Sequence, residues 1–215
     1  MRRMLFEKTG TAIWMSHLDL MRLMQRAFRR AGVVLHHSQG YTPHAYVSML
    51  LPLSVGTESV CEIMEYELDA EIVITPEDMN AVLPQGVRVL RVYDSARKPK
   101  YLTDLSVMLT MFYDHGVPAG AAESIGTLLS GETLLVEKRT KRGLEEKDIR
   151  PMIRKAELVA GTDRITLTAQ ISAQNPSLNP ALLTAAIERY LPQIKPDFVR
   201  YRRLEVFDQD GGIFR

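Results

Sequence analysis

Hydrophobic and polar positions repeat with two different periods along the first hundred residues. Residues 2–8 alternate weakly, which predicts a short strand, whereas residues 16–31 repeat every three to four positions, which predicts a helix. Ser16 is a suitable N-cap for this helix, and Gly32 follows its last turn. Later patterns predict strands at 46–53 and 58–69, a short helix from Thr75 and a strand at 86–93.

The same order of elements recurs in the second half, although the sequence itself does not repeat. The patterns there predict a strand at 104–114, a helix at 118–131, a strand at 132–141, a helical turn at 145–153, a hairpin at 156–171, a helix at 179–191 and a strand at 198–207. Strand–helix–strand–strand–helix–strand is the order of the ferredoxin-like unit. We therefore expect an α+β protein of two tandem ferredoxin-like (βαββαβ-type) domains, at 1–94 and 101–215, joined by a charged linker.

The composition narrows the class of protein. The chain has 215 residues, of which 46% are hydrophobic and 25% charged, as is typical of a globular protein. Cys61 is the single cysteine, which excludes an internal disulfide and a cysteine-ligated cluster or zinc site. Neither an apolar stretch long enough for a membrane span nor a signal peptide is visible, so we expect a cytoplasmic protein.

Charge is unevenly distributed, although the net charge is only +1. Residues 56–81 contain eight acids and no lysine or arginine, whereas residues 138–155 contain eight bases and three acids. Lys138, Arg139, Lys141 and Arg142 form the densest part of this basic segment. Like charges this close are stable when solvated or neutralised by phosphate, so the segment is either a solvated turn or a patch that binds RNA or protein.

A second basic feature lies on the first predicted helix. Its arginines fall on the side opposite the apolar stripe and are Arg22, Arg26, Arg29 and Arg30. The histidine-rich loop at 35–46 follows this helix, and Gly40 and Pro43 favour an open backbone within it. Aromatic rings and hydrogen-bond donors beside arginines suit a planar, anionic ligand, and nucleic acid is the obvious candidate.

The loop also contains candidate catalytic groups. Histidine pairs with a nearby serine can cleave a phosphodiester by acid–base chemistry, and the candidates are His17, His36, His37, His44 and Ser38. His17 lies at the far end of the predicted helix, so a metal site or a catalytic pair that includes it requires the loop to fold back. A purely structural role, in which the imidazoles bind backbone groups or phosphate, stays open. Four other aromatic residues are expected in the core: Trp14, Phe28, Tyr66 and Phe112.

Residues 4–59 resemble the opening of the family called radical SAM-linked protein. This family is a domain of unknown function found beside, or fused to, cobalamin-binding-type radical SAM proteins. The shared pattern begins with Ser16-His17-Leu18-Asp19 and Arg29-Arg30-Ala31 and continues through Ser38, Gly40, Tyr41, Pro43 and His44 to Pro52, Leu53 and Gly56. Tyr41 and Thr42 replace the usual Phe and Asn. The resemblance implies a companion of a radical SAM enzyme that is encoded nearby. Since this chain lacks the three-cysteine motif, the cluster and the radical chemistry would belong to that partner.

Three hypotheses follow. The first is an accessory RNA-binding protein, without a cofactor of its own, that presents structured RNA to the radical SAM partner; its RNA contacts would come from the arginines, the loop and the basic segment. The second is a metal-independent endoribonuclease that uses the loop histidines. The third is a protein-docking module in which the acidic or the basic segment binds the partner directly.

Overall fold

The computed structural model of the chain describes residues 1–140 and 143–215, apart from the side chains of residues 138–140. The chain is α+β, as predicted, and divides into two compact units. The first contains residues 1–101 together with Arg215, and the second contains residues 102–214. Among the described residues, no helix combines the length and apolar composition needed to cross a membrane.

The elements of the first unit follow the predicted order. They are β1 (Arg2–Lys8), α1 (His17–Arg30), β2 (Val47–Met49), β3 (Thr57–Tyr66), α2 (Pro76–Asn80) and β4 (Val87–Asp94). The predicted N-cap Ser16 is confirmed, and Thr75 caps α2 in the same way: their side chains accept hydrogen bonds from the backbone N–H groups of Asp19 and Asp78. Gly32 follows α1 with a φ of 76°, a conformation that glycine adopts without strain.

The strands of the first unit lie in the order β4-β1-β3-β2, and neighbours are antiparallel. The helices cover one face of this sheet. Phe28 of α1 packs on Tyr66 of β3, with a ring-centroid distance of 4.8 Å, and Met4, Phe6, Met24 and Met64 are fully buried around them. This core fixes the position of α1 and therefore the direction in which its polar side faces solvent.

The second unit contains β5 (Leu102–Phe112), α3 (Ala121–Ser130), β6 (Leu135–Thr140), β7 (Gly143–Asp148), β8 (Ile153–Ala160), β9 (Arg164–Ser172), α4 (Ala181–Tyr190) and β10 (Phe198–Asp208). Its main strands lie in the order β10-β5-β9-β8 and are antiparallel, while β6 and β7 pair with each other as a separate hairpin. Buried side chains alternate along β5 and β9, so one face of the sheet is packed and the other is not.

The predicted helical turn at 145–153 is wrong over most of its length. Residues 143–148 form β7, and only Arg150–Met152 form a short 3-10 helix. The reason is pairing, since β6 would otherwise be an unpaired strand and β7 supplies partners for its backbone groups. Tertiary pairing therefore overrides the local helix preference of the Glu-Glu-Lys sequence.

A buried ion pair connects β1 and β3. The Arg3 guanidinium is inaccessible to solvent and donates from Nε and Nη2 to Glu65 Oε1 at 3.0 and 2.7 Å. Its remaining donors reach Ser95 Oγ at 2.9 Å and the carbonyl of Arg97. Glu65, one of the eight acids of residues 56–81, is therefore not a solvated surface charge, because its carboxylate pairs with a guanidinium that is directly opposite in the strand register.

We expect Arg3→Met to lower the free energy of unfolding by about 3 to 5 kcal/mol, because Glu65 would stay buried without its partner. Combining Arg3→Met with Glu65→Leu should restore much of this loss, since neither charge is then buried. Urea unfolding measures both. Arg88→Met, at an exposed position of β4, is the control and should change stability by less than about 0.5 kcal/mol. A single variant as stable as this control would contradict the assigned role of the pair.

Candidate functional site

The histidine-rich loop is attached to the chain segment that follows β3. His36 N donates to the Glu67 carbonyl at 2.8 Å, and Glu67 N donates to the Tyr46 carbonyl at 3.1 Å. Tyr46 N in turn donates to the His36 carbonyl at 2.8 Å. An antiparallel bridge between His37 and Ala45 continues this ladder toward the loop tip. The two sides of the loop are thus held as a short hairpin rather than as a free connection.

The tip of the hairpin is closed by one serine. Ser38 N donates to the His44 carbonyl at 2.9 Å, and His44 N donates to Ser38 Oγ at 3.1 Å. The same hydroxyl lies 3.0 Å from Nδ1 of the His44 ring. Between these residues, Gly40 has a φ of 139°, and Tyr41 and Pro43 are exposed. The tip therefore has fixed ends and presents its side chains to solvent.

Three aromatic rings form a stack on one face of this hairpin. The Tyr46 ring lies 5.2 Å from the His36 ring at an interplanar angle of 26°, and 6.4 Å from the His44 ring at 28°. Because His37 pairs with Ala45, residues 36, 38, 44 and 46 all point to the same side, as alternation in a strand requires. Ser38 therefore lies on the same face as the stack.

The His36 imidazole, at one end of the stack, is oriented by a carboxylate. His36 Nδ1 lies 2.6 Å from Asp69 Oδ1, and both side chains are about half exposed. Since an ionised carboxylate only accepts hydrogen bonds, Nδ1 carries the proton and Nε2 is left for a ligand. His37 is held differently, with its Nδ1 2.8 Å from the Leu35 carbonyl. The rings of His36 and His37 are thus both fixed by neighbouring groups, and of these two only His36 belongs to the stack.

The four arginines of α1 are all exposed, as predicted. Arg22 forms a long ion pair of 3.5 Å with Asp19, and no other carboxylate among the described residues pairs with any of the four. Arg29 and Arg30 occupy the last turn, where cations are favoured by the helix dipole. Arg30 is six residues from His36, so their Cα atoms are at most about 20 Å apart. The chain itself therefore limits how far the ring stack can lie from the arginine-bearing last turn of α1.

His17 does not join the other histidines. It begins α1, directly after a 3-10 helix whose Ile13 carbonyl accepts from Gly56 N at the start of β3. The loop lies beyond the other end of β3, and ten strand residues span about 30 Å. In the part of the chain that is described, no three residues of the His, Cys, Asp and Glu types are grouped to bind a metal ion. A catalytic pair of His17 with a loop histidine has no geometric support.

The basic segment is described only in part. Lys138 and Arg139 lie on β6 in register with Glu145 and Leu144, whereas Lys141 and Arg142 lie outside the described residues. The hairpin of β6 and β7 is fixed to α4, because Arg189 forms an ion pair with Glu146 at 2.7 Å and Tyr190 Oη donates to the Leu135 carbonyl at 3.0 Å. That the segment and the loop act together stays a prediction.

A buried lysine positions the start of α1. Lys8 Nζ donates to the carbonyls of Ile13 and Met15 at 3.2 and 2.9 Å. Burial lowers the pKa of Lys8, and the Glu62 carboxylate opposes that shift. The lysine thus satisfies carbonyl groups at the end of the 3-10 helix, a structural role that the sequence pattern did not indicate.

Two residues of this site were not among the candidate site residues predicted from the sequence. Tyr46 supplies the central ring, and Asp69 orients His36. The spacing His-x-Ser followed by His-x-Tyr at 36–38 and 44–46 would have indicated a common face if the loop had been interpreted as a hairpin. Trp14 was expected in the core but is 68% exposed, with its ring against the Gly56 backbone.

Comparisons with known proteins give one family and a fold. A family model described as "Uncharacterized protein conserved in bacteria (DUF2344)" matches residues 2–180. The chain belongs to this family. No curated protein matches this DUF2344 member.

The DUF2344 member is also similar to solved structures. One is a chain from "Crystal Structure of a Cbf5-Nop10-Gar1 Complex", with a TM-score of 0.53 and 12% identity, over 97% of this chain and 50% of that one. Another is from "Crystal Structure of an Unknown Protein from Galdieria sulphuraria", with a TM-score of 0.25 and 11% identity, over 94% of this chain and 96% of that one. This chain spans half the length of the first structure, and that likeness is one of fold alone.

Replacing Ser38 by alanine should loosen the loop tip without unfolding the protein. Ser38 Oγ accepts a hydrogen bond from His44 N and contacts the His44 ring. Loss of this hydroxyl should lower the stability of the closed tip by about 1 kcal/mol. We expect faster hydrogen exchange at the His44 amide and faster proteolysis within residues 38–44. Ser48→Ala on β2 is the matched control, since this serine is exposed in a regular strand. Equal exchange in both variants would show that Ser38 does not close the tip.

Proposed function

We propose that this protein is an accessory RNA-binding protein of the cytoplasm that presents structured RNA to a radical SAM partner. The observation that carries the RNA-binding part is the exposed stack of His36, Tyr46 and His44 in the loop that follows α1, whose last turn carries the exposed Arg29 and Arg30. The radical SAM partner is inferred from the family resemblance of the sequence. That inference is the reason for assigning the chemical reaction to the partner and not to this chain.

The ring stack and the arginines of α1 would bind different parts of a nucleotide. Aromatic and imidazole planes stack on unpaired bases, and this is the commonest way in which proteins recognise loops and bulges of RNA. Exposed guanidinium groups bind phosphate by paired, charge-assisted hydrogen bonds. Since the stack is fixed by backbone hydrogen bonds, little side-chain entropy would be lost when a base binds it.

The single cysteine of the chain is consistent with an iron–sulfur cluster that is held by a partner protein. Cys61 is buried on β3 and is the only thiol in the sequence, so this chain would contribute binding and orientation rather than a cluster. The RNA contacts proposed here are Arg22, Arg26, Arg29, Arg30, Ser38, Gly40, Tyr41, Pro43 and His44, together with the basic segment around Lys138 and Arg139.

We also infer that each unit is a ferredoxin-like domain. Numbered by their order within the unit, the main strands of both have the spatial order 4-1-3-2 with antiparallel neighbours, which is the arrangement of that fold. In the second unit, the β6–β7 hairpin is then an insertion between α3 and β8, and it would present the basic segment as an appendage of the domain.

A metal-independent endoribonuclease is the second candidate, and the contact between Ser38 Oγ and His44 Nδ1 at 3.0 Å favours it. With His36 oriented by Asp69, the hairpin face would offer a base and an acid for attack of a ribose 2′-hydroxyl on the adjacent phosphate. His17 has no part in this arrangement, because it lies at the other end of β3.

RNA binding should depend strongly on salt and on the arginines of α1. Affinity for bulk transfer RNA, measured by fluorescence anisotropy, should fall steeply between about 50 and 200 mM salt. In the double variant Arg29→Gln, Arg30→Gln, the slope of log affinity against log salt should be shallower by about 0.9 for each phosphate that is no longer neutralised. Tyr46→Ala should weaken binding without changing that slope, since it removes a ring and no charge.

Arg88→Gln is the control for this experiment, because Arg88 is an exposed arginine of the neighbouring strand β4. It should leave both affinity and slope near those of the native protein. An affinity that barely changes with salt, or a double variant that behaves like the control, would refute phosphate binding by α1.

Endoribonuclease activity makes a separate prediction. If the loop cleaves RNA, a metal-free preparation should produce fragments ending in a 2′,3′-cyclic phosphate, and His44→Ala should abolish them while binding persists. Ser48→Ala should cleave like the native protein. Absence of cleavage by the native protein across varied structured and unstructured RNAs would eliminate the enzyme and leave the accessory role.

A further inference from the structure

One face of the sheet in the second unit is packed and the other is free of its helices. Gly126 of α3 lies against Leu158 of β8, and Thr184 of α4 hydrogen-bonds to Tyr201 of β10 at 2.8 Å. Both contacts are on the face that carries the buried Leu109 of β5. Alternation along the strands places the intervening side chains on the opposite face.

Two phenylalanines lie side by side on this second face. Phe198 of β10 and Phe112 of β5 are directly opposite in the strand register, and their ring centroids are 6.0 Å apart. Phe198 is 56% exposed, although it is a large apolar side chain in a regular strand. Its exposed ring adds little to the core, so stabilisation of the fold does not explain its position.

Two arginines complete the cluster. The guanidinium carbons of Arg164 and Arg200 lie 5.5 and 5.3 Å from the Phe112 ring centroid, within the range of cation–π contacts. Arg164 is opposite Phe112 on β9, and Arg200 is opposite Thr110, so all four planar groups occupy two adjacent rows of the sheet. We call these residues, Phe112, Phe198, Arg164 and Arg200, the Phe–Arg platform.

The charges around the platform favour a ligand that stacks rather than one that is only highly charged. Asp163 holds Arg164 through two hydrogen bonds of 2.9 and 3.0 Å, and Asp197 accepts from the backbone of Asp114 at 2.8 Å. Among the described residues, no carboxylate pairs with Arg200. A guanidinium without a carboxylate partner beside the exposed Phe198 ring matches a phosphate next to a stacked base.

We propose that the Phe–Arg platform binds unpaired nucleotides of single-stranded RNA. Phe198, the exposed ring, stacks on a base, and Arg200, which lies over the half-buried Phe112 ring, binds the adjacent phosphate. An antiparallel sheet that presents aromatic rings on its helix-free face is a recurrent way of binding single-stranded RNA. This inference rests on the proposed RNA-binding function, and it adds a site in the second unit that is separate from the histidine-rich loop of the first.

The test compares Phe198→Ala with the native protein on a short, unstructured oligouridine. Removal of the Phe198 ring, on which one base would stack, should weaken binding by about 5-fold to 100-fold. Phe198→Tyr should keep most of the affinity, because it retains an aromatic ring. Val55→Ala, which shortens another half-exposed apolar side chain in the first unit, should bind like the native protein. Circular dichroism establishes that each variant is folded.

An abasic oligomer of the same length separates stacking from phosphate binding. The native protein and Phe198→Ala should bind it equally, whereas Arg200→Gln should weaken the binding of both oligomers. If Phe198→Ala binds oligouridine as tightly as the native protein does, or if the native protein binds transfer RNA but not oligouridine, the platform is not a binding site and the loop proposal is unaffected. If the native protein binds no RNA, the proposed function itself fails.

Discussion

The candidate site of the first unit depends on a backbone ladder that continues beyond the end of β3. Glu67 donates to Tyr46 and accepts from His36, and Tyr46 donates back to His36. A loop with polar backbone groups at these positions would otherwise have to satisfy them with water, and its side chains would have no common direction. The ladder converts the loop into a hairpin, and the alternation of the hairpin then places His36, Ser38, His44 and Tyr46 on one face.

The same constraint explains how exposed rings can be ordered. Side chains on a surface loop normally sample several rotamers, and binding a ligand then costs conformational entropy. Here each imidazole has a hydrogen-bond partner of its own, Asp69 for His36 and Ser38 for His44, and both stack on Tyr46. The arrangement therefore has the property expected of a binding surface, which is a preformed geometry that is still open to solvent.

Local chemistry was a good guide to the elements and a poor guide to pairing. Ser16 and Thr75 mark helix starts because capping is a property of a few adjacent residues, and the arginine side of α1 follows from the helical period alone. In contrast, β7, the burial of Glu65 and the contact between His36 and Asp69 depend on residues distant in sequence. Patterns of period two or 3.6 carry no information about which strand lies next to which, so those features required the tertiary structure.

The buried ion pair and the candidate site are connected through strand register. Arg3 and Glu65 face each other across β1 and β3, and Glu65 precedes Glu67 by two residues. A slip of one residue in this pairing would turn Glu65 to the helix-packed face and displace Glu67 from the position where it meets the loop. A buried ion pair is often neutral in net stability relative to apolar residues, and this one forms only in the observed register, so we assign to Arg3 the role of fixing that register. The pair, whose Arg3 side is inaccessible to solvent, thus lies on the strand that ends where the loop backbone is attached.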